Sequence, residues 1–317
     1  MALALTFPGQ GSQAVGMGKA LADSLPEAKA VFDEVDEALG EKLSAIMWEG
    51  PEETLTLTAN AQPALMAVSI AALRALEGRG FSVSKAKCVA GHSLGEYSAL
   101  CAAGSLSLAD TARLLRIRGN AMQAAVPVGQ GAMAAIIGLE ADALEAVCAE
   151  AAGANAQGKG ICQIANDNGG GQLVISGSKA EVESACAAAS ERGAKRAILL
   201  PVSAPFHSAL MAPAADVMAE ALAKVEFKAP AVPVVANVLA APVSDPDHLR
   251  NLLVEQVTGR VRWRESVEWM AANGVTQAVE VGSGKVLTGL ARRIARDIAG
   301  IAVGTPEEVG AAIAAIA

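Results

Sequence analysis

The stretch Gly91-His92-Ser93-Leu94-Gly95 governs the interpretation of this chain. An apolar run at 88–90 leads into it and a helical pattern at 96–103 leads out, which is the strand–turn–helix context of a G-x-S-x-G nucleophile elbow. The two glycines permit a sharp turn, because a Cβ on either side of the serine would collide with the strand or the helix. We therefore predict that Ser93 is a nucleophile and that the unpaired Leu94 amide can point at an oxyanion. The alternative is a plain strand-to-helix turn with a capping serine.

Composition places the chain among globular proteins with a large buried core. Its 317 residues are 52% hydrophobic and 18% charged, enough for one large domain or two of ordinary size. A net charge of -8 argues against nucleic-acid binding. No apolar run reaches the ~18 residues that a membrane span needs, and the apolar first residues lack the basic region of a signal peptide. The five cysteines are well separated and lack metal-ligand spacing, which favours reduced thiols and a cytoplasmic location.

Strands that alternate with helical patterns predict an α/β fold with a mostly parallel sheet and a site at the carboxyl ends of its strands. The segment from about 129 to 200 has the order β-α-β-β-α-β, which is the ferredoxin-like order. We expect an α/β-hydrolase-like large domain over residues 1–127 and 201–317, with a ferredoxin-like small subdomain inserted over residues 128–200. Among the helical patterns, one spans 19–39 and another opens at Gln62, with Pro63 in its first turn.

One arginine lies on the wrong face of a predicted helix. The helix runs from its N-cap Ser107 to Ala124, and Arg118 shares an apolar face with Leu115 and Met122. A guanidinium in that position needs a partner, because an unpaired buried charge is costly. The two structural explanations are an ion pair with a protein carboxylate and extension of the side chain to the surface.

A serine needs a base to act as a nucleophile at neutral pH, and the chain has 3 histidines. His92 is adjacent to Ser93, but consecutive residues at a sharp turn generally point in different directions. His248 lies in a polar segment typical of a solvated helix start. His207 lies in an apolar, proline-flanked loop at the opening of a helix, and by elimination it is the best candidate base.

Four motifs in register carry a resemblance to a known family. They are Phe7-Pro8-Gly9-Gln10-Gly11-Ser12-Gln13, Gly91-His92-Ser93-Leu94-Gly95-Glu96-Tyr97, Arg118-Gly119-Asn120-Ala121-Met122 and Pro205-Phe206-His207-Ser208. In this combination the sequence resembles the malonyl-CoA:acyl carrier protein transacylases of fatty acid synthesis, a family that includes the acyltransferase domains of polyketide synthases. The resemblance runs from the first strand to the last helix.

This resemblance implies a ping-pong acyl transfer. Ser93 would attack the malonyl thioester while His207 takes its proton, and the carrier phosphopantetheine thiol would then attack the malonyl-serine ester. The backbone amides of Gln10 and Leu94 would hold both oxyanions. Arg118 would pair with the free carboxylate of malonate, which selects malonyl-CoA over acetyl-CoA.

The resemblance also assigns residues around this centre. Gln62 and Met122 match positions that line the acyl pocket, and Phe206 matches the malonyl-selecting variant, where methylmalonyl-selecting relatives usually carry serine. Gln256 matches the position whose backbone carbonyl orients the base, in place of the acid that α/β-hydrolases use. It could equally be a solvent-facing helix residue. Asn166 matches another polar position near the catalytic pair.

The implied partners are malonyl-CoA and an acyl carrier protein, with no nucleic acid and no membrane. No metal or redox cofactor is implied, since CoA enters as part of the substrate. The carrier is acidic in this family, so that docking on an acidic protein needs a local basic patch. Two arginine clusters are candidates: Arg260, Arg262 and Arg264, and Arg292, Arg293 and Arg296. We expect a monomer.

Two other functions share parts of this pattern. The first is a thioesterase or esterase on the same elbow, with water as the second nucleophile. The second is a catalytically idle module that binds acyl carrier protein. An idle module would be expected to have lost Ser93, His207 or Arg118, and all three are present.

Overall fold

A six-stranded sheet organises the larger part of the chain in the computed structural model, which describes residues 2–153, 160–202 and 204–316. Its strands are β1 (Ala2–Phe7), β2 (Ala86–Gly91), β7 (Val234–Ala236), β8 (Ala241–Val243), β9 (Val275–Val281) and β10 (Ala299–Val303). They lie in the order β10-β9-β1-β2-β7-β8. All neighbours are parallel except β7 and β8. The prediction of a mostly parallel sheet is therefore confirmed.

A separate four-stranded sheet occupies the middle of the chain. Its strands are β3 (Gly131–Ile137), β4 (Cys162–Asp167), β5 (Gln172–Ser178) and β6 (Arg196–Leu199). They lie in the order β4-β5-β3-β6, and every neighbouring pair is antiparallel. Helices α8 (Ala141–Gly153) and α9 (Lys179–Glu191) separate these strands along the chain, which gives the predicted β-α-β-β-α-β order.

The remaining helices pack around the parallel sheet. They are α1 (Lys19–Ser24), α2 (Pro26–Leu39), α3 (Leu43–Glu49), α4 (Glu52–Thr56), α5 (Thr58–Glu77), α6 (Gly95–Ala102), α7 (Leu108–Ala124), α10 (Ala212–Leu222), α11 (Pro246–Thr258), α12 (Trp263–Ala272), α13 (Val286–Ile294) and α14 (Pro306–Ile316). Helix α5 is apolar on almost every side and is buried along most of its length, because it packs between α2, α7 and α6. Each of its buried leucines contributes about 2 kcal/mol of transfer free energy. Among the described residues, no helix combines the length and apolar character that a membrane crossing requires.

Some predicted boundaries were wrong. The helical pattern at 19–39 is two helices, because Leu25 is extended (φ -132°) before Pro26, as a residue preceding proline usually is. The helix predicted to open at Gln62 begins four residues earlier, at Thr58, so that Pro63 lies inside it. The prediction that Ser107 caps α7 is confirmed, since its side chain accepts a hydrogen bond from the Asp110 amide.

Candidate active site

The elbow between β2 and α6 depends on its two glycines. A Cβ on Gly91 would lie 1.9 Å from the Gly95 carbonyl carbon, and a Cβ on Gly95 would lie 2.2 Å from the Phe7 carbonyl oxygen. No side chain fits at such distances, since the obstructing atoms are backbone. Ser93 between them adopts the left-handed conformation (φ 53°), which is uncommon for a residue with a side chain. The elbow geometry predicted from the sequence is therefore present.

Ser93 and His207 are joined by a hydrogen bond. Ser93 Oγ lies 2.7 Å from His207 Nε2, although the two residues are 114 positions apart. His207 Nδ1 lies 2.9 Å from the main-chain carbonyl oxygen of Gln256 and 3.2 Å from that of Gly259. Because carbonyl oxygens only accept, Nδ1 carries the proton and Nε2 is left to accept from the serine hydroxyl.

Burial keeps the His207 imidazole neutral. Burial and, to a lesser degree, the nearby Arg118 charge together lower the pKa of His207 to about 3, although the two carbonyl acceptors oppose the shift. A neutral imidazole with a free Nε2 lone pair is the form that accepts a proton.

Arg118 is buried beside the serine without a carboxylate partner. Only 1% of its surface is exposed, which excludes extension to the surface. Its Nη1 donates to Gln62 Oε1 (2.7 Å), and its Nη2 donates to Gln256 Oε1 (3.0 Å) and to Ser93 Oγ (3.2 Å). In the described part of the chain no carboxylate forms an ion pair with this guanidinium, and its Nε has no acceptor. Extension to the surface is therefore excluded, and no carboxylate of the described residues pairs directly with Arg118, although Glu96 is linked to it through the Gln256 amide.

A close contact between α5 and α7 brings Gln62 to Arg118. Pro63, inside α5, has no N–H to donate to the Ala59 carbonyl one turn earlier. The Arg116 Nη1 of α7 donates to that carbonyl instead, at 2.6 Å. A Cβ on Gly119 would lie only 2.5 Å from Ala59 Cα, so that glycine allows the approach. The proline that we placed in the first turn thus frees an acceptor that connects the two helices.

A cavity of about 440 Å³ lies in front of Ser93, between the two sheets. Gln62, Met122 and Phe206 line it, as do Arg118 and His207. The Gln62 amide nitrogen also contacts Met122 Sδ at 3.8 Å and donates to Thr58 Oγ1 at 2.9 Å, which fixes its carbonyl oxygen toward Arg118. All the residues predicted for the acyl pocket thus share one cavity.

The two residues whose amides are predicted to hold an oxyanion also line this cavity. Gln10 and Leu94 both line it, Gln10 in the loop after β1 and Leu94 directly before α6. Within the described ranges, neither backbone N–H has a hydrogen-bond acceptor. Such unpaired amides at a loop and a helix start are suited to bind a negatively charged oxygen.

Comparisons with known proteins agree with this geometry. The model of the acyl transferase domain family matches residues 5–305. The chain belongs to the acyl transferase family. A curated relative named malonyl CoA-acyl carrier protein transacylase, from Bacillus subtilis, is 48% identical over 98% of this chain and 96% of the relative. The protein of that name from Escherichia coli K12 is also 48% identical, over 98% of each chain.

Solved structures give the same result for the acyltransferase. An acyl-carrier-protein-S-malonyltransferase from Bartonella henselae superposes with a TM-score of 0.96 at 62% identity, covering 100% of this chain and 99% of the other. A malonyl-transacylase solved in complex with a type II PKS acyl-carrier protein superposes with a TM-score of 0.95 at 42% identity, covering 99% and 100%.

Gln256 and Asn166 differ in how closely they approach the reactive pair of the acyltransferase. Gln256 is fully buried, which excludes the solvent-facing alternative, and it contacts both His207 and Arg118. Asn166, on β4, lines the cavity, and the structure gives its side chain no hydrogen bond to Ser93 or His207. His92 points away from the serine, as predicted, and lies 2.8 Å from Asn168 Oδ1.

Two residues of the site were missed by the sequence analysis. Asn237, directly after β7, accepts from the Ser93 amide through Oδ1 at 2.8 Å and donates to the Gly91 carbonyl at 2.7 Å. Glu96, in the first turn of α6, is 1% exposed and accepts a hydrogen bond from the main-chain N–H of Asn237 at 3.0 Å. Glu96 belongs to a quoted motif, and a carboxylate so close to an elbow could have been singled out.

The two arginine clusters of the acyltransferase differ in their partners. In the first cluster, Arg260 pairs with Glu145 at 2.6 Å and Arg264 with Asp167 at 2.8 Å, while Arg262 pairs with Glu265. In the second cluster, Arg292, Arg293 and Arg296 are exposed, and no described carboxylate pairs with them. Arg293 also lines the cavity.

Proposed function

We propose that this acyltransferase moves the malonyl group from malonyl-CoA to the phosphopantetheine thiol of an acyl carrier protein, through a malonyl ester of Ser93. The observation that carries the proposal is the buried Arg118 guanidinium, which lies 3.2 Å from Ser93 Oγ without a carboxylate partner among the described residues. A cation held next to a nucleophile suits an acyl group that itself carries an anion. The names of the relatives support the same substrate and acceptor.

In the first half-reaction, Ser93 Oγ attacks the thioester carbonyl while His207 Nε2 takes the hydroxyl proton. The oxyanion of the tetrahedral intermediate lies between the Gln10 and Leu94 amides, and each such donor contributes about 3 kcal/mol of transition-state stabilisation. The intermediate then collapses, the C–S bond breaks, and His207 returns its proton to the CoA thiolate. Gln256 and Gly259 hold the imidazole in the required tautomer through their carbonyls.

In the second half-reaction the attacking group is the thiol of the carrier protein, whereas a hydrolase would use water. His207 takes the thiol proton, the sulfur attacks the malonyl ester carbonyl, and the same two amides hold the new oxyanion. Collapse of this intermediate breaks the ester bond and returns the proton to Ser93 Oγ. The cycle consumes no cofactor, since CoA leaves as a product.

Arg118 selects the acyl group by its need for an anion. The malonyl carboxylate forms a charge-assisted pair with the guanidinium. An acetyl group would leave that guanidinium desolvated and unpaired, which is costly. Gln62, Met122 and Phe206 limit the remaining space, and Asn166 adds a polar side chain to the lining of the cavity.

The architecture that supports this chemistry is an α/β-hydrolase-like large domain, residues 1–127 and 201–317, with a ferredoxin-like small subdomain at 128–200. The parallel sheet carries the elbow at the end of β2, and the antiparallel sheet forms the facing wall of the cavity. A cytoplasmic location and a monomeric state remain predictions.

The carrier docks on α13 in this proposal. Arg292, Arg293 and Arg296 have charges that the described carboxylates do not neutralise, and Arg293 reaches the cavity. An acidic carrier bound there would lie where its phosphopantetheine arm can enter. The cluster of Arg260, Arg262 and Arg264 is less suited, because intramolecular carboxylates already pair with its members.

Intact mass after brief exposure to malonyl-, methylmalonyl- or acetyl-CoA tests the function. We expect a malonyl adduct that is absent in Ser93→Ala and that moves to added holo carrier protein faster than it hydrolyses. An adduct that decays to free malonate at the same rate with and without carrier would instead identify a hydrolase.

A further inference from the structure

Glu96 is a buried carboxylate to which the mechanism above gives no role. It lies in the first turn of α6, three residues after the nucleophile, with 1% of its surface exposed. Its Oε2 accepts from Gln256 Nε2 at 2.8 Å and from the main-chain N–H of Asn237 at 3.0 Å. Its Oε1 has no hydrogen-bond partner within the described ranges. A carboxylate is rarely buried with so little compensation unless something else depends on it.

Both partners of Glu96 hold the reactive groups. The other end of the Gln256 amide, Oε1, accepts from Arg118 Nη2 at 3.0 Å, and Gln256 Nε2 also donates to the Ser93 carbonyl at 3.0 Å. Asn237 Oδ1 accepts from the Ser93 amide at 2.8 Å. Glu96 Oε2 is thus hydrogen-bonded directly to the two residues that hold the Arg118 guanidinium and the Ser93 main chain.

The orientation of the Gln256 amide follows from its two charged neighbours. Arg118 can only donate hydrogen bonds, so that it requires the Oε1 end. An ionised Glu96 can only accept, so that it requires the Nε2 end. A rotated amide would place two donors against each other at Arg118 and two acceptors at Glu96. Glu96 and Arg118 therefore enforce the same orientation from opposite sides.

We propose that Glu96 is a positioning residue for acyl selection, which holds the Gln256 amide so that its carbonyl oxygen keeps the Arg118 guanidinium aimed at the acyl group on Ser93. This inference rests on the proposed malonyl transfer. It assigns to Glu96 a part in distinguishing malonyl from acetyl groups, distinct from its contribution to packing under the elbow.

The charges around Glu96 define the conditions for a test. Burial raises the pKa of Glu96 to about 7, while the Asn237 and Gln256 hydrogen bonds and the Arg118 charge oppose the shift. Its titratable neighbours are Arg118 on α7 and Tyr97, the next residue on α6, whereas Asn237 and Gln256 are neutral. An assay about one pH unit above this pKa has Glu96 about nine-tenths ionised.

The test is a competition between malonyl-CoA and acetyl-CoA at equal concentrations, read as the ratio of the two Ser93 adducts by intact mass. This ratio is independent of the fraction of folded enzyme. We expect Glu96→Ala to lower the malonyl-to-acetyl ratio about tenfold, through a higher KM for malonyl-CoA. Glu96→Gln keeps a carbonyl oxygen for Gln256 and Asn237, so that its ratio stays within about threefold of the unmodified protein, even if the melting temperature falls.

Asp36→Asn is the matched control. Asp36 is a buried carboxylate on α2 that accepts from the Ser44 amide and hydroxyl, and the cavity does not include it. Its substitution is expected to lower stability and to leave the ratio unchanged. An unchanged ratio in Glu96→Ala, or an equal loss in Glu96→Gln, would overturn the positioning role. Absence of malonyl transfer in the unmodified protein would instead refute the proposed function.

Discussion

Arg118 Nη2 lies 3.2 Å from Ser93 Oγ, a hydrogen bond between the nucleophile and a fully buried cation. The distance is short enough that a malonyl group attached to Ser93 Oγ can place its free carboxylate against the guanidinium. Burial lowers the pKa of Arg118, while the Glu96 carboxylate, when ionised, raises it. The cost of keeping this cation desolvated is therefore largest when no anion occupies the cavity, which favours malonyl over neutral acyl groups.

Arg118→Gln is expected to lower kcat/KM for malonyl-CoA about a hundredfold, since a charge-assisted pair in a buried site is lost. The acetyl-CoA rate should stay constant or rise. Steady-state transfer to carrier protein with both substrates measures the change. Arg113→Gln is the control, because Arg113 lies on the exposed side of α7 and pairs with Asp110. A parallel loss with both substrates would contradict the selective role of Arg118.

The rate of Ser93 acylation should fall on the acid side only at pH values well below the ordinary imidazole pKa of about 6.5. Burial lowers the pKa of His207 to about 3, so that the folded enzyme keeps a neutral base at pH values where a free histidine is protonated. The lowered pKa of His207 also makes the free energy of unfolding decrease as the pH falls. The unfolded chain takes up a proton at His207 between these two values, so that this residue weakens the folded state as the pH falls through that window.

Single-turnover acylation across the acid range, followed by mass, measures this fall in rate. Glu96→Gln serves as the control, because burial raises the pKa of Glu96 to about 7 and its titration could be mistaken for that of the base. An inflection near 6.5 that persists in Glu96→Gln would contradict a depressed His207 pKa.

Gly119→Ala should separate α7 from α5. The new Cβ would lie 2.5 Å from Ala59 Cα and 2.7 Å from the Thr58 carbonyl oxygen, both of them backbone atoms that cannot rotate away. We expect a loss of about 1–3 kcal/mol in unfolding free energy and a weaker preference for malonyl-CoA, because Arg118 moves away from Gln62. Gly310→Ala in α14, which has open space for a Cβ, should be neutral or slightly stabilising. Chemical denaturation compares the two, and equal stability would refute the contact argument.

Charge reversal of Arg292 and Arg296 should raise KM for the carrier protein and leave KM for malonyl-CoA unchanged. The family resemblance implies an acidic carrier, so that the effect should diminish as salt screens the interaction. The same reversal at Arg260 and Arg262 is the comparison, because intramolecular carboxylates pair with both. A larger effect at this second pair would move the docking surface away from α13.

The sequence predicted the pair Ser93 and His207, which the structure brings into hydrogen-bond contact, more completely than the network around it. Ser93 followed from its glycines and His207 from elimination, since both depend on local chemistry. Asn237 was missed because its bonds to the elbow join positions 144 apart, which no local pattern encodes. Glu96 resembles an ordinary acidic residue in the first turn of a helix, where exposed carboxylates are common, and only the packed structure shows its burial.

The C-terminal end of the described chain was a weak part of the fold prediction. Strand β10 and helix α14 had no predicted counterpart, because β10 is a sheet edge with mostly exposed or half-buried residues and little alternation. The break between α1 and α2 at Leu25 could have been predicted from the rule that a residue preceding proline avoids the helical conformation. The position of Pro63 inside α5 needed tertiary information, since Arg116 on another helix uses the carbonyl that the proline leaves free.

The order of strands in the parallel sheet has a consequence for synthesis of the protein on the ribosome. Strand β1, made first, has β9 as one of its two neighbours, and the Thr6 hydroxyl bonds to the Val279 carbonyl 273 positions later. A nascent chain that has already produced Ser93 therefore lacks both a complete sheet and the base that activates the serine. The Ser93–His207 pair therefore rests on a complete parallel sheet only after most of the chain, through β9 and β10, has been made.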